Sequence, residues 1–364
     1  MTKSVINAES DMIKVAIVGT QGVPARYGGF ESLVENIIGQ NEDIHFTVFC
    51  SSKDMPSKLA EYKGATLKYI PLRANGGQSI PYDILSLCRS LWGYDTVLIL
   101  GVSGAIFLPV FRLISRAKVV TNIDGLEHRR QKWGKIAKWF LRLSERVAVK
   151  FSDTIIADNK GIADYVEEQY GLKSTLIAYG GDHAVRDVST EEQERILTQY
   201  GVQKHSYAFT VCRIEPENNC HITLEAAALS GTRLIFVGNW MRSEYGRKLK
   251  QQYSHYPNIT MSDPVYDLDT LYALRSNAGR YIHGHSAGGT NPSLVEAMFF
   301  GRPIAAFDVV YNRETTLNCA DFFTNAQSLS NILSGEVSYN EQLVQIAQER
   351  YTWSYIREQY INLF

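Results

Sequence analysis

From Lys14 onward the chain alternates short, unbroken apolar runs with longer stretches whose apolar positions recur at helical spacing. KVAIVG (14–19), IHFTVFC (44–50), TLKYI (66–70), TVLIL (96–100), KVVTN (118–122), TIIAD (154–158) and TLIAY (175–179) predict strands. Helical spacing fills the intervals at about 30–39, 82–92, 105–115, 134–150 and 160–169. A strand that is apolar at every position, rather than at alternate ones, is buried on both faces. Helices between such strands supply the cover, so the pattern predicts a parallel sheet.

The rhythm breaks after Asp182 in the polar segment HAVRDVSTEEQ (183–193). It restarts with YAFTVC (207–212), RLIFVG (233–238), NIT (258–260), RYIHG (280–284) and PIAAF (303–307). The expected fold class is therefore α/β, with two doubly wound Rossmann-like domains, 1–182 and 183–347. The tail carries Trp353, Tyr355, Ile356, Tyr360, Ile361 and Phe364, and reads as helices that dock rather than as a loose end.

Composition narrows the class. The 364 residues hold 37 Lys and Arg against 38 Asp and Glu, a formal charge of −1, with 45% hydrophobic and 21% charged positions. Those values exclude a disordered or collagen-like chain and a protein that coats nucleic acid over its whole surface. The 5 cysteines are odd in number and form no C-x-x-C, so neither a disulfide framework nor a structural zinc site is expected, and a reducing cytoplasm fits. The first residues, MTKSVINAESDM, lack the apolar core of a secretion signal. The longest apolar stretch, Val97 to Phe111, is interrupted by Gly101, Ser103, Gly104 and Pro109, too short and broken to span a bilayer.

In open α/β sheets ligands bind outside the carboxyl ends of strands, so the strand-to-helix turns carry the candidate chemistry. The turn after the first strand holds Gly19, Gly22, Gly28 and Gly29, but neither G-x-G-x-x-G nor a Gly-Lys-Ser/Thr is present. The turn is therefore neither a dinucleotide fingerprint nor a P-loop, which makes an NAD-dependent oxidoreductase the least favoured enzyme class. Glycines there allow backbone N–H groups to approach an anion or a sugar.

After RYIHG comes His283-Gly-His285-Ser-Ala-Gly288-Gly289-Thr290-Asn291-Pro292-Ser293-Leu-Val-Glu296. Asn291 suits a helix N-cap and Pro292 the first helical position, with the glycines and Ser293 expected to leave helix N–H groups open to a phosphate. Glu296 is placed either to accept hydrogen bonds from sugar hydroxyls or only to complement the helix dipole. Arg213, at the end of YAFTVC, suits a diphosphate because its fork binds oxygens in pairs; the alternative is an ion pair with Glu215 or Glu217.

Asp124, Glu127, His128, Arg129 and Arg130 follow KVVTN as a further acid/base candidate, with solvated loop charges as the alternative. The His283/His285 pair has no accompanying ligand cluster, so no metal is expected there.

Residues 129–150 carry Arg129, Arg130, Lys132, Lys135, Lys138, Arg142, Arg146 and Lys150 against the single acid Glu145. At helical spacing the last six basic residues span about 120°, and Ile136, Phe140, Leu143, Val147 and Phe151 a separate arc of about 80°. The apolar arc is expected to pack on the sheet and the basic stripe to meet anionic headgroups or a lipid diphosphate. Nucleic acid is disfavoured because no aromatic platform adjoins the stripe.

SLVEAMFFGRPIA (293–305) resembles the nucleotide-sugar signature of the retaining family-4 (group 1) GT-B glycosyltransferases, and CRIEPEN (212–218) resembles their diphosphate-binding turn. VGTQGVPARYGGFE (18–31), NIDGLEHRRQKW (122–133), RIEPENN (213–219) and HGHSAGGTNPSLVEAM (283–298) are similar to a bacterial rhamnosyltransferase branch that builds capsule and cell-wall polysaccharides.

The resemblance implies a GT-B fold, two Rossmann-like domains facing a central cleft, with helices from about 348 to 364 packing back onto the first. It implies Arg213 on the donor diphosphate and Glu296 on the ribose hydroxyls. Gly22, Gly28, Gly29, Gly289, Thr290, Asn291 and Ser293 would line the donor, and Pro264, Val265 and Tyr266 the base. Asp124 would lie near the reacting sugar. Glu127, His128, Arg129, Arg130, Lys135, Lys138 and Arg142 would face the acceptor and membrane.

Two positions depart from the family pattern: Gly288 stands where a Glu is common, and Asn218 where a basic residue is common. The implied protein is a retaining, metal-independent glycosyltransferase without a cofactor, cytoplasmic and peripheral on the inner face of the plasma membrane. Its implied donor is dTDP-L-rhamnose and its acceptor a lipid-diphosphate-linked saccharide. A nucleotide-sugar epimerase of the same fold and a non-catalytic nucleotide-sugar-binding scaffold are the alternatives.

Overall fold

A computed structural model describes residues 12–25, 28–39, 41–123, 125 and 134–364. Its contacts divide the chain into two units. The first takes the described residues up to Asp158 together with Ile162–Ile177 and Arg357–Phe364; the second takes Asn159–Gly161 and Ala178–Ile356.

The first unit is built on eight strands: β1 (Ile13–Val18), β2 (Ile44–Ser51), β3 (Glu61–Tyr62), β4 (Ala65–Ile70), β5 (Thr96–Leu100), β6 (Lys118–Asn122), β7 (Thr154–Ala157) and β8 (Thr175–Leu176). Their spatial order is β3-β4-β2-β1-β5-β6-β7-β8, parallel except for the β3–β4 pair. The order reverses at β1, so the ends of β1 and β5 form its switch point. Val15, Ile17, Val48, Val97, Val119 and Ile156 are buried at the centre, as unbroken apolar strands require.

The second unit has β9 (Ala208–Val211), β10 (Leu234–Val237), β11 (Ile259–Ser262), β12 (Arg280–His283), β13 (Ile304–Phe307) and β14 (Asp321–Phe323). The order β11-β10-β9-β12-β13-β14 is fully parallel and reverses between β9 and β12. The sheet divides two cores, one around Phe209, Tyr281, Leu294 and Met298, the other around Phe236, Trp240, Leu224 and Phe323.

The tail is divided between the two units. The helix Glu341–Arg350 belongs to the second unit, where it packs on Pro292–Met298. Only the end of the next helix, Trp353–Ile361, and the residues after it join the first unit. There Arg357 Nε donates to the Ile37 carbonyl (3.1 Å), Asn122 Nδ2 donates to the Tyr360 hydroxyl (2.8 Å), and Phe364 meets Phe46 edge-on.

The helix Lys135–Phe151 corrects an expectation. Its inner face is Leu141, Ser144, Glu145, Ala148 and Val149, whereas Ile136, of the predicted apolar arc, is 85% exposed and Leu143 is exposed too. The cause is hydrogen bonding. Glu145 Oε1 accepts from Tyr165 (2.9 Å) and Tyr170 (2.7 Å), and Ser144 donates to the Val102 carbonyl. Satisfied polar groups tolerate burial, which an apolar count does not register.

Candidate functional site

The second unit brings two turns together at its switch point. The first leaves β9 and holds Arg213; the second leaves β12 and runs through Gly284–Asn291 into the helix Pro292–Met298. Asn219, at φ +50°, donates from Nδ2 to the Gly284 carbonyl (2.9 Å), and the Ser286 amide and hydroxyl both donate to the Glu217 carbonyl (2.9 and 2.8 Å). These bonds fix the Arg213 turn against the glycine-rich one.

Arg213 itself is loosely held. Its side chain is partly exposed, and Nε lies 3.9 Å from Glu215, beyond hydrogen-bond distance, so the guanidinium remains available to an anion. Asn218 is buried and donates to the Arg213 carbonyl (2.7 Å). It shapes the turn from inside.

Asn291 caps the helix as the sequence predicts, accepting from the Ser293 amide (3.1 Å) and hydroxyl (2.8 Å). The Leu294 and Val295 amides bond the Asn291 carbonyl. The cap takes up the amides of 293–295. Thr290 is buried, with Asn159 Nδ2 3.4 Å from its hydroxyl, and is a packing residue rather than a surface one. Gly288 has φ +116°, a conformation that side-chain-bearing residues rarely adopt, and nothing within 4 Å of where a Cβ would stand. Gly289 lies half-buried beside it, and Tyr266 is exposed on the segment after β11.

Glu296 has partners that its sequence context did not announce. Arg275, only 5% exposed, donates from Nη2 to Oε2 at 2.7 Å, and His183 Nε2 lies 3.3 Å from Oε1. Trp353 Nε1 donates to His183 Nδ1 (2.9 Å), which fixes the imidazole as the tautomer with its proton on Nε2, facing Glu296. Burial pushes the Glu296 carboxyl up, but the Arg275 charge and the His183 hydrogen bond outweigh it and hold the group below its ordinary range. The outcome is an oriented carboxylate acceptor.

His283 is buried and stacked on His285, with ring centroids 4.5 Å apart. Burial depresses its pKa to about 3, so the ring is neutral. Among the described residues no group of three His, Cys, Asp or Glu side chains gathers as a metal site.

In the first unit the β1 turn is organised from within. Glu31 is buried, and its Oε1 accepts from the Thr20 hydroxyl (3.1 Å) and the Gln21 amide (2.8 Å). Tyr82 donates between the carbonyls of Thr20 (2.7 Å) and Phe49 (2.8 Å). Gly22 is buried, its amide turned to Thr20, and a Cβ there would stand 2.6 Å from Cys50 Sγ. It packs closely against Cys50. Gly28 is exposed at the N-cap of the helix Gly29–Ile37, with Gly29 following it.

Beside the β5 turn lies a residue that sequence reasoning missed. Asp83 is buried, and a Cβ on Gly104 would come within 2.4 Å of its Cβ. Burial pushes its carboxyl up to about 7 against the lowering effect of a hydrogen bond with Ser103. A lone Asp in a helical run carries no signal for this.

The basic candidates Lys135 and Arg142 are exposed, and Lys138 is half-buried. Asp124, Glu127, His128, Arg129 and Arg130 lie outside the described residues.

The fold is GT-B. Sucrose-phosphate synthase from Thermosynechococcus elongatus superposes with TM-score 0.77 at 15% identity, over 96% of this chain and 98% of that one. Anabaena HepE, solved in complex with UDP, superposes with TM-score 0.75 at 17% identity, over 97% and 99%. A glycosyltransferase from Rickettsia africae gives TM-score 0.69 at 13% identity, over 97% and 98%. The family described as "Domain of unknown function (DUF1972)" matches residues 12–182. No curated protein matches the sequence.

Proposed function

We propose that this protein is a glycosyltransferase that takes its sugar from a nucleotide diphosphate bound to the second unit. The observation that carries the reading is the pairing at the β9/β12 switch point. A loosely held Arg213 stands on one turn, and on the helix after the other stands Glu296, preset as a carboxylate by Arg275 and His183. A guanidinium for a diphosphate and a carboxylate for vicinal hydroxyls are the two recognition elements a nucleotide sugar requires. The UDP and UDP-glucose complexes of the structurally similar HepE support the same donor class.

In this reading Arg213 neutralises charge as it develops on the departing diphosphate, without need of a metal. The acceptor hydroxyl attacks from the face the diphosphate leaves, so configuration is retained. Resemblance of the four sequence motifs to the rhamnosyltransferase branch favours dTDP-L-rhamnose as donor and a lipid-diphosphate-linked saccharide as acceptor. Attraction of the exposed Lys135, Arg142, Arg146 and Lys150 to anionic lipid would bring the enzyme to that acceptor, at the inner face of the plasma membrane.

Thermal shift against dTDP, UDP and GDP sugars tests the donor, because a ligand that binds only the native state raises its stability. One nucleotide class raising the melting temperature supports the reading; no shift with any class at millimolar concentration removes it. Incubating that donor alone and finding an altered sugar would assign epimerisation instead.

A further inference from the structure

The helix Lys135–Phe151 turns three large apolar side chains to solvent: Ile136, Trp139 (67% exposed) and Leu143. At helical spacing they fall within about 60° of one another, opposite the buried face. The helix Leu108–Ile114 packs beside it, clamped where Arg112 Nε donates to the Phe151 carbonyl (2.8 Å). That helix adds Leu113, 87% exposed, with Val110 and Ile114.

A soluble monomer seldom gathers so many exposed large apolar groups on adjoining helices. Lys135, Arg142, Arg146 and Lys150 form a stripe along one side of that row on the same helix, and Arg116 follows the second helix, all exposed. Neither helix offers an exposed carboxylate, because their one acid, Glu145, is turned inward to Tyr165 and Tyr170.

We infer that this surface is a wedge for an anionic bilayer, with Ile136, Trp139, Leu143 and Leu113 entering the boundary between headgroups and acyl chains while the basic residues meet the phosphates. The inference deepens the membrane attraction proposed above, on which it rests. Basic residues alone make a contact that salt dissolves. Apolar tips beside a basic stripe make one that salt weakens and does not abolish, since burial of apolar surface is not screened. Trp139 suits the position, because an indole buries its rings in the apolar layer and keeps its N–H among the headgroups. A protein partner would have to supply a matching acidic apolar surface, whereas an anionic bilayer supplies both features everywhere.

The test is flotation with phosphatidylglycerol-containing vesicles, run at low salt and at about 0.5 M NaCl, where the screening length is only a few ångströms. Two variants are compared with wild type: the serine variant Ile136→Ser/Trp139→Ser/Leu143→Ser, and the charge variant Lys135→Glu/Arg142→Glu/Arg146→Glu. All six positions are exposed, and unchanged melting confirms that each variant is folded. The serine variant should bind about tenfold or more weakly at high salt, where wild type still floats. Brominated acyl chains should quench wild-type fluorescence more than that of Trp139→Phe.

Equal flotation of wild type and serine variant at both salts, with equal quenching, overturns insertion. If the charge variant alone loses binding, electrostatic attraction stands and insertion falls. If neither variant loses binding, the membrane attraction falls as well. Self-association that the serine mutations abolish, with lipid binding untouched, reassigns the face to a second copy of the chain.

Discussion

Arg275 and Glu296 form an ion pair of 2.7 Å in which the guanidinium is almost wholly enclosed and the carboxylate is 18% exposed. Arg275 takes Oε2, and His183 Nε2 stands 3.3 Å from Oε1, so the carboxylate is oriented from both oxygens. Removing the cation strands a half-buried charge, a loss of about 3 kcal/mol. Arg275→Met should therefore lower unfolding free energy by about that amount in denaturant titration and weaken donor binding. A variant as stable as wild type would show that the pair contributes nothing. The sign with pH follows from the lowered carboxyl: the pair's contribution is present above the ordinary glutamate pKa and is lost as pH falls through the lower folded value.

His183→Gln keeps a donor toward Glu296 and His183→Ala removes it. A positioning role predicts that the alanine variant raises donor KM by about five- to tenfold, with kcat less affected, and that glutamine restores most of the loss. Steady-state kinetics with the donor found by thermal shift measures both. Equal KM in the two variants would leave His183 a packing residue beside Trp353.

Arg213→Ala removes a partly exposed side chain without a strong internal bond, so melting should change little. Turnover should fall by about a hundredfold or more if the guanidinium stabilises the leaving diphosphate. Full activity would take Arg213 out of the reaction.

Gly288→Glu restores the common residue of the motif at a position whose φ is +116°. Backbone strain should cost about 1–2 kcal/mol with no gain in donor affinity. Tighter donor binding in this variant would mean that the loop readily takes the other path.

Asp83 links stability to pH in the opposite sense from Glu296. Its folded pKa of about 7 exceeds the unfolded value, so the native state holds the proton more tightly and stability falls as pH rises toward 7. Between pH 5 and 8, Asp83→Asn should gain about 2.5 kcal/mol relative to wild type, read by denaturant unfolding at each pH. A gain independent of pH would refute the shift.

The central strands were legible because an unbroken apolar run can satisfy its backbone and bury both faces only inside a covered parallel sheet. β3 and β14 escaped because two and three residues at a sheet edge make no run. The Asn291 cap and Pro292 were legible for a local reason, since a cap is decided within three residues.

Sequence by itself therefore determined the alternation, the two sheets, and the turns on which Arg213 and Glu296 stand. Tertiary structure decided what those turns offer. It turned Ile136 and Leu143 outward by giving Glu145 two tyrosine hydroxyls, and it spent the helix amides on Asn291. It also chose Arg275 and His183 as the partners of Glu296. Periodicity is a property of neighbours along the chain, and survives in the sequence. The partner of a buried charge depends on which distant segments packing brings within 3 or 4 Å, and no spacing along the chain encodes that.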